Sequence, residues 1–485
     1  MPHTTTILCA FSAVTALGVG PTAHAQLALE VNEDGHQSVL VRPTPTDGQG
    51  WVTRGVSVPF PTTPDMTLVL RRQVGGLKVA DMNGDGKNDI VVGCYSSNSF
   101  PPYDDWHDFI LYNDYQHEHS DLGAWPMWIS SNQTHTGDIL VGEIDGNPGL
   151  EVVTIHGSLN PQSVRIYRGA PGGPETTASF VSSTPQNVWG TSGLLVDLDN
   201  DGDLDLVTAN QGIAPDSFRP MYQFENEGGV MNPVPVWQSA EQSIQGGLSA
   251  GDVDGDGDLD IGVSKWVNFT SGIYYNLGGT LDVNQGAFTG DTGGDRGTAL
   301  VDFNGDGELE LAVGSDPARL FDYGEGLLTP YWMCDLPFDS EPQDLVAYDV
   351  DGDGDTDLAQ IIFADGRAHI HLNRDGVLDV LPSWTFDASE VGTAIAFGDI
   401  DGDGLDDLVT GYSGDTCVRV FLANPPSCSP ADLADPFGQF DFSDVVAFLT
   451  AFTSMQPEAD LAEPFGQWDF TDVIIFLALF NTGCQ

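Results

Sequence analysis

The chain repeats one alternation of apolar and polar positions. Short apolar runs such as Leu194-Leu195-Val196, Ala299-Leu300-Val301 and Ala394-Ile395-Ala396-Phe397 each lead into an acidic, Gly-containing segment. A second apolar run follows the segment, as in Ile90-Val91-Val92 and Leu408-Val409-Thr410, and often a third, as in Ile273-Tyr274-Tyr275 and Val418-Arg419-Val420-Phe421. Runs of this length bounded by Gly-rich turns predict strands. An aromatic residue then precedes the next acidic segment, at Trp128, Phe180, Trp237, Phe288, Trp332 and Trp384, where a fourth strand is expected. These rings are read as packing between units rather than as ligand platforms.

The acidic segments begin at Asp81, Glu143, Asp197, Asp252, Asp302, Asp349 and Asp399, 47 to 62 residues apart. That spacing suits one four-stranded blade per copy, so the fold expected is all-β, a seven-bladed β-propeller over residues 26–426. The seventh copy runs out of strands near Phe421, so a strand from about residues 62 to 72 is expected to close the ring and remove the open edges.

Within each segment the side chains at positions 1, 3, 5 and 9 carry oxygen. They are Asp81, Asn83, Asp85 and Asp89; Asp197, Asp199, Asp201 and Asp205; Asp252, Asp254, Asp256 and Asp260; Asp302, Asn304, Asp306 and Glu310; Asp349, Asp351, Asp353 and Asp357; and Asp399, Asp401, Asp403 and Asp407. Alternate residues of a tight turn can aim several oxygens at one hard cation, with Gly at position 6 permitting the turn. The copy at Glu143, Asp145, Asn147 and Glu151 has Pro148 in place of that Gly and is expected to be empty.

These segments resemble the FG-GAP and VCBS repeats of the integrin α-chain propeller and of many secreted bacterial proteins, over roughly residues 62–424. The resemblance implies calcium, held by side chains at positions 1, 3, 5 and 9 and a main-chain oxygen at position 7, in the six well-matched copies. Relatives of this kind include adhesion receptors, lectins and polysaccharide lyases.

After Pro425-Pro426 a second duplication appears: Ala431-Asp432-Leu433-Ala434 through Gly438 recurs as Ala459-Asp460-Leu461-Ala462 through Gly466. Val445, Phe448, Leu449 and Phe452, matched by Val473, Phe476, Leu477 and Phe480, fall at helical spacing, with Ser443 and Thr471 as expected caps. Cys428 and Cys484 bracket this segment and could close it as a disulfide; Cys94, Cys334 and Cys417 leave at least one thiol over. The pair, over residues 427–485, resembles a dockerin-like module of the type ending in Gly-Cys, which implies a cohesin-like or cell-surface partner. Asp432, Asp441 and Asp444, with Asp460, Asp469 and Asp472, keep the acids of such a module, while a longer loop and Ala434 and Ala462 depart from it.

A net charge of -57, from 72 acidic residues against 15 Lys and Arg, excludes binding nucleic acid through its phosphates and makes cations the natural partners. The apolar stretch from Ile7 to Gly20, ending at Ala23-His24-Ala25, reads as a signal peptide over residues 1–25 despite a start without Lys or Arg, and no later run is long enough to span a membrane once it is removed. A secreted protein, extracellular or held at the cell surface, is expected. Gly247-Leu248-Ser249-Ala250-Gly251 matches a hydrolase pattern but runs into an acidic segment instead of a helix, and is read as a strand. The pairs His117 and His119, and His369 and His371, are read as solvated or packed. The function expected is binding or adhesion toward an extracellular protein or polysaccharide. A lectin, or a polysaccharide-active lyase or hydrolase on the same scaffold, is the alternative.

Overall fold

Period-two runs that bury one face must pair with neighbours of the same kind, and here they pair in fours. In the computed structural model the chain forms a seven-bladed β-propeller of antiparallel four-stranded blades, followed by a small helical tail. The structure describes residues 58–423 except 96–106, 116–120, 134, 159–162, 186–187, 213–216, 267–268, 291–293, 325 and 337–340. In the tail it describes residues 442–454 and 470–482 with single positions between, and ahead of the ring the backbone of a hairpin, His24–Val31 against Gln37–Thr44. Residues 1–23 of the signal peptide expected over 1–25, the pair His117 and His119, and the Cys428–Cys484 bridge fall outside the described residues.

The fourth blade shows the plan: an inner strand Ile244–Gly251, then Asp260–Trp266, Gly272–Tyr274 and an outer strand Ala287–Phe288. The last blade has three strands of its own, Val391–Gly398, Asp407–Gly414 and Val418–Phe421. Its fourth comes from the start of the ring, where Met66–Leu68 pairs through Met66 with Val420 and Leu68 with Val418. The closing strand expected near residues 62–72 is therefore present, and it ties the two ends of the ring together.

Six of the seven inner strands carry a register shift near their start, for example between Thr136 and Asp138 and between Pro342 and Asp344. An extra residue sharpens the local twist, and here it recurs where neighbouring blades approach most closely. A Cβ on Gly75 would lie 1.9 Å from the carbonyl oxygen of Thr136 in the next blade, so only glycine fits.

All six aromatics foreseen in fourth strands lie there. Four pack edge-on against the third strand of the following blade: Trp128 on Tyr167, Trp237 on Tyr274, Trp332 on His371 and Trp384 on Phe421, with ring centroids 5.3 to 6.0 Å apart. Such pairs add about 0.5–1.5 kcal/mol beyond area burial. The indole N–H of Trp128 donates to the Pro174 carbonyl at 2.8 Å and that of Trp332 to the Leu378 carbonyl at 3.0 Å, across the same blade boundaries. Phe288 departs from this pattern and is 49% exposed.

The tail holds α1 (Phe442–Thr453) and α2 (Phe470–Thr482), related by the 28-residue duplication. Phe448 and Phe476 are buried and stack on each other, with centroids 4.1 Å apart. Asp444 accepts the Leu433 N–H at 2.7 Å and Asp472 that of Leu461 at 2.8 Å, both carboxylates fully buried. Two expectations are corrected here. Ser443 and Thr471 lie inside the first helical turn rather than ahead of it, and Leu449 and Leu477 face solvent, while Phe448 and Phe476 form the core with Ala431 and Ala459, and Val445, Phe452, Val473 and Phe480 pack against it. Among the described residues no helix is long and apolar enough to cross a membrane.

Candidate metal centre

Each acidic segment is the turn between the inner and second strands of its blade, so all seven lie on one face of the ring. In the six well-matched copies the turn is built the same way. In five of them the position 4 N–H donates to the position 1 carboxylate, Gly84 to Asp81, Gly255 to Asp252, Gly305 to Asp302, Gly352 to Asp349 and Gly402 to Asp399, at 2.7 to 2.9 Å, and in the sixth the position 5 N–H of Asp201 donates to Asp197 at 3.2 Å. The other oxygen of the position 1 carboxylate accepts the N–H of the position 6 glycine, as in Gly257 to Asp252 at 3.0 Å and Gly202 to Asp197 at 3.0 Å. Position 3 accepts from position 5, and position 5 from position 7, as in Asp256 to Asp254 and Asp258 to Asp256. The position 6 glycines have φ between 87° and 99°, and nothing lies within 4 Å of the place where a Cβ would stand, so the requirement is conformational. Position 4 shares it, with Asn200 at φ 59° the one non-glycine.

This frame turns carboxylates toward one another. In the copies at Asp197 and Asp349, one oxygen from each of positions 1, 3 and 5 lies within 4.8 Å of the other two; in that at Asp252 the three are Asp252, Asp254 and Asp260, and in that at Asp302 they are Asp302, Asp306 and Glu310. Asp351 has one oxygen, Oδ2, shut away from solvent without a hydrogen-bond donor. Burial, and next the charge of Asp353, push its carboxyl up to about 6. Crowded carboxylates and an oxygen without a donor are what a hard divalent cation would satisfy, and calcium takes six to eight such oxygens. The residues present fit that ion.

Position 9 begins the second strand and differs from the other three: it is fully buried or nearly so in every copy. Its oxygens are engaged by N–H groups, save Oδ2 of Asp205, which is buried with no hydrogen-bond partner. Asp260 accepts the Val253 N–H at 3.1 Å and the Asn276 N–H at 2.8 Å; Asp357 accepts Val350 and Asn373, and Asp407 accepts Ile400 and Ala423. Burial pushes Asp89, Asp205 and Asp260 up to about 6 and Glu310, Asp357 and Asp407 up to about 7, against the pull of these N–H groups. Position 9 thus clamps the turn to the end of the third strand, whatever further bond its remaining lone pairs make.

Four asparagines that sequence reasoning passed over complete the arrangement. Asn113, Asn226, Asn276 and Asn373 each end a third strand, and each Nδ2 donates to the position 2 carbonyl of the preceding blade's turn: Ile400, Ile144, Leu198 and Phe303, at 2.6 to 2.9 Å. An Asn recurring after the third apolar run was the signal.

The copy at Glu143 is built differently. Pro148 has no N–H to offer, and Glu143 accepts only from Gly146, at 2.8 Å. Asp145 instead receives the guanidinium of Arg168, Nε to Oδ2 at 2.6 Å, and the Asn147 side-chain amide at 2.8 Å. Arg168 follows the third strand Val164–Tyr167, where Tyr275 follows that of the fourth blade, so a fixed cation stands beside this cluster.

Other candidates resolve as structure. Ser249 lies in the inner strand Ile244–Gly251 with no helix after it. His369 and His371 are buried, the first paired with Thr385, the second with Gln360 and the Asp379 carbonyl. Cys94, Cys334 and Cys417 are buried and lie in no disulfide, and burial pushes the Cys334 thiol up to about 11.

A seven-bladed propeller with a ring of acidic turns on one face is the class that fold and site define. Residues 302–360 and 349–410 match the FG-GAP-like repeat. Among solved structures the chain is similar to BBS1N in complex with ARL6DN soaked with mercury, at 12% identity over 76% of this chain and 98% of that one, TM-score 0.50. The lead-soaked form of the same complex matches at 14% identity over the same shares, TM-score 0.49. The Malassezia sympodialis allergen Mala s 1 matches at 13% identity over 56% of this chain and 89% of that one, TM-score 0.39. No curated protein sequence matches the chain.

Proposed function

We propose that this chain is a secreted binding or adhesion module whose propeller is stiffened by calcium and whose helical tail docks it to a surface or an assembly. The observation that carries the calcium reading is the convergence of carboxylates in a turn whose backbone presents them together, with the Asp351 oxygen lacking a donor. The ions would be held by positions 1, 3, 5 and 9 of the six regular turns, position 9 also bracing the turn from behind; their part is to cancel repulsion and fix the turn, in blade after blade.

The docking reading is supported by a duplicated apolar face on the tail. Phe442, Val446 and Leu449 on α1, and Phe470, Ile474 and Leu477 on α2, are 47 to 77% exposed at matching positions. Such a face on so small a unit is the kind that a partner covers.

Calcium counted per chain after equilibrium dialysis tests the metal reading. About six ions are expected, one for each regular turn, and a count near zero overturns it. Removing residues 427–485 should release the protein from the surface that holds it; unchanged attachment of a folded, truncated chain would remove the tail from this role.

A further inference from the structure

On the face opposite the acidic turns, the inner strands begin and the second strands end, around the mouth of the central channel. Two aromatic groups stand there, drawn from different blades. Tyr95, His135 and Trp189 come from the first, second and third blades, with centroids 5.4 to 6.4 Å apart. The Trp189 indole lies over the backbone of Gly157, where a Cβ would fall 2.3 Å from the ring. Trp266 and Phe363, from the fourth and sixth blades, hold the Arg296 guanidinium between them, its carbon 4.3 and 4.7 Å from the two ring centroids. Arg296 also donates from Nε to Glu341 at 2.6 Å and from Nη1 to Gln343 at 2.6 Å. All six of these mouth residues remain partly open to solvent. Trp189 lies at the start of the inner strand Val188–Val196 of the third blade and Trp266 ends the second strand Asp260–Trp266 of the neighbouring fourth, so the two groups flank one blade boundary.

Large rings left partly open at a channel mouth forgo part of the roughly 1.5–3 kcal/mol that complete burial is worth, and a guanidinium clamped on both faces and along its edge is pre-organised, its rotational freedom lost before any ligand arrives. What the set offers is flat apolar faces beside a fixed donor, Arg296, and a fixed acceptor, Glu341. The C–H face of a pyranose stacks on such rings while its neighbouring hydroxyls take one donor and one acceptor. Charge decides between sugars: with the chain at -57 and Glu341 already on the guanidinium, a polyuronate would be repelled.

We propose that this channel mouth is a binding site for a neutral glycan, stacked on Trp189 and Trp266 and oriented by Arg296 and Glu341. It rests on the binding-module reading and gives that reading a place and a ligand class.

The test uses the full chain with calcium present, titrated with cellohexaose, mannohexaose and xylohexaose as neutral probes and with oligogalacturonate as the anionic one, read by calorimetry and by tryptophan emission. At least one neutral hexasaccharide should bind and shift the emission, and oligogalacturonate should not. Trp266→Ala and Trp189→Ala should each weaken binding at least tenfold, while Phe288→Ala, on the outer rim, should leave it unchanged. Arg296→Lys keeps the charge but not the planar fork, and should also weaken binding in a chain whose melting temperature is unchanged. Binding that survives both tryptophan changes in folded protein places the site elsewhere and overturns the proposal while leaving a binding module. Binding only of oligogalacturonate, or of no hexasaccharide by a chain that still adheres to cells, overturns it equally. A chain that neither binds these probes nor adheres fails the parent reading as well.

Discussion

The second blade and the fourth crowd carboxylates in the same place and settle them differently. In the fourth, Asp252, Asp254 and Asp260 converge in a turn held by the N–H groups of Gly255 and Gly257, and among the described residues no Lys or Arg forms an ion pair with them. In the second, Glu143, Asp145 and Glu151 also converge, but Arg168 donates to Asp145 from the next strand and Pro148 has removed a donor from the frame. On the proposed reading the fourth blade's turn depends on an ion from solution, whereas the second carries its cation on the chain as Arg168. In the second copy the lost Gly and the added Arg occur together: Glu143 lacks the position 6 N–H, and the fixed guanidinium of Arg168 stands on Asp145 beside it.

The largest expected effect comes from taking the solution ion away. Each filled site stabilises the native state by about 2.7 kcal/mol at a hundredfold excess over its Kd, so chelation should lower the melting temperature of the ring by many degrees. Protease should then cut first at the regular turns, with Gly146–Gly149 spared. Early cutting in the second blade, mapped by mass spectrometry, would mean that Arg168 does not replace the ion.

Single carboxylates give the next largest contrast. Asp254→Ala should remove one calcium per chain, counted by atomic absorption, and make the fourth blade's turn protease-sensitive. Asp145→Ala should leave the calcium count unchanged. Equal losses would erase the distinction between the two blades.

Arg168→Gln should have a smaller effect, because the side chain is half exposed and solvent screens much of its charge. The melting temperature should fall by the same modest amount with calcium and with chelator. If added calcium restored the variant to the parent value, the second turn would be a latent metal site that Arg168 merely occupies.

How much of this could be read along the chain follows from what repeats. The blades, the closing strand and the acidic turns recur with a fixed grammar, so the alternation of Leu194-Leu195-Val196 with Asp197-x-Asp199-x-Asp201 announced both strand and turn. Arg168 was not legible, because its partner Asp145 lies 23 residues away and only the pairing of strands brings them together. A second role of position 9 was hidden for a related reason: spacing groups Asp260 with Asp254, as the structure also does, but only burial and the Asn276 N–H, both products of the third strand, make it a clamp as well. In the tail, helical periodicity named the right stripe but could not tell which of Phe448 and Leu449 would find a partner in the other helix. The channel mouth draws on blades far apart in sequence, and no local pattern marks it.

The smallest effect near neutral pH belongs to histidines that stand apart from the metal turns, and it offers a control for the comparison. His371 is buried, donating from Nδ1 to the Asp379 carbonyl at 2.9 Å and accepting from the Gln360 amide at 2.9 Å. Burial pushes its imidazole down to about 4, and His369 likewise to about 4. The unfolded chain takes up these protons near pH 6.5. With the folded value depressed, the unfolded state binds more protons between about pH 6.5 and 4, so the contribution is complete above about 6.5 and lost as pH falls toward 4. Each such group steepens the slope by at most about 1.4 kcal/mol per pH unit. His371→Gln should make the slope of unfolding free energy against pH, measured by urea unfolding between pH 7.5 and 5, shallower by up to that amount. The change should be the same in calcium and in chelator, unlike that of Asp254→Ala, because both imidazole nitrogens are bonded within the sixth blade. A change in slope seen only with calcium would show that this histidine acts through the acidic turns, and that the division between ion-dependent and ion-independent parts of the ring is drawn in the wrong place.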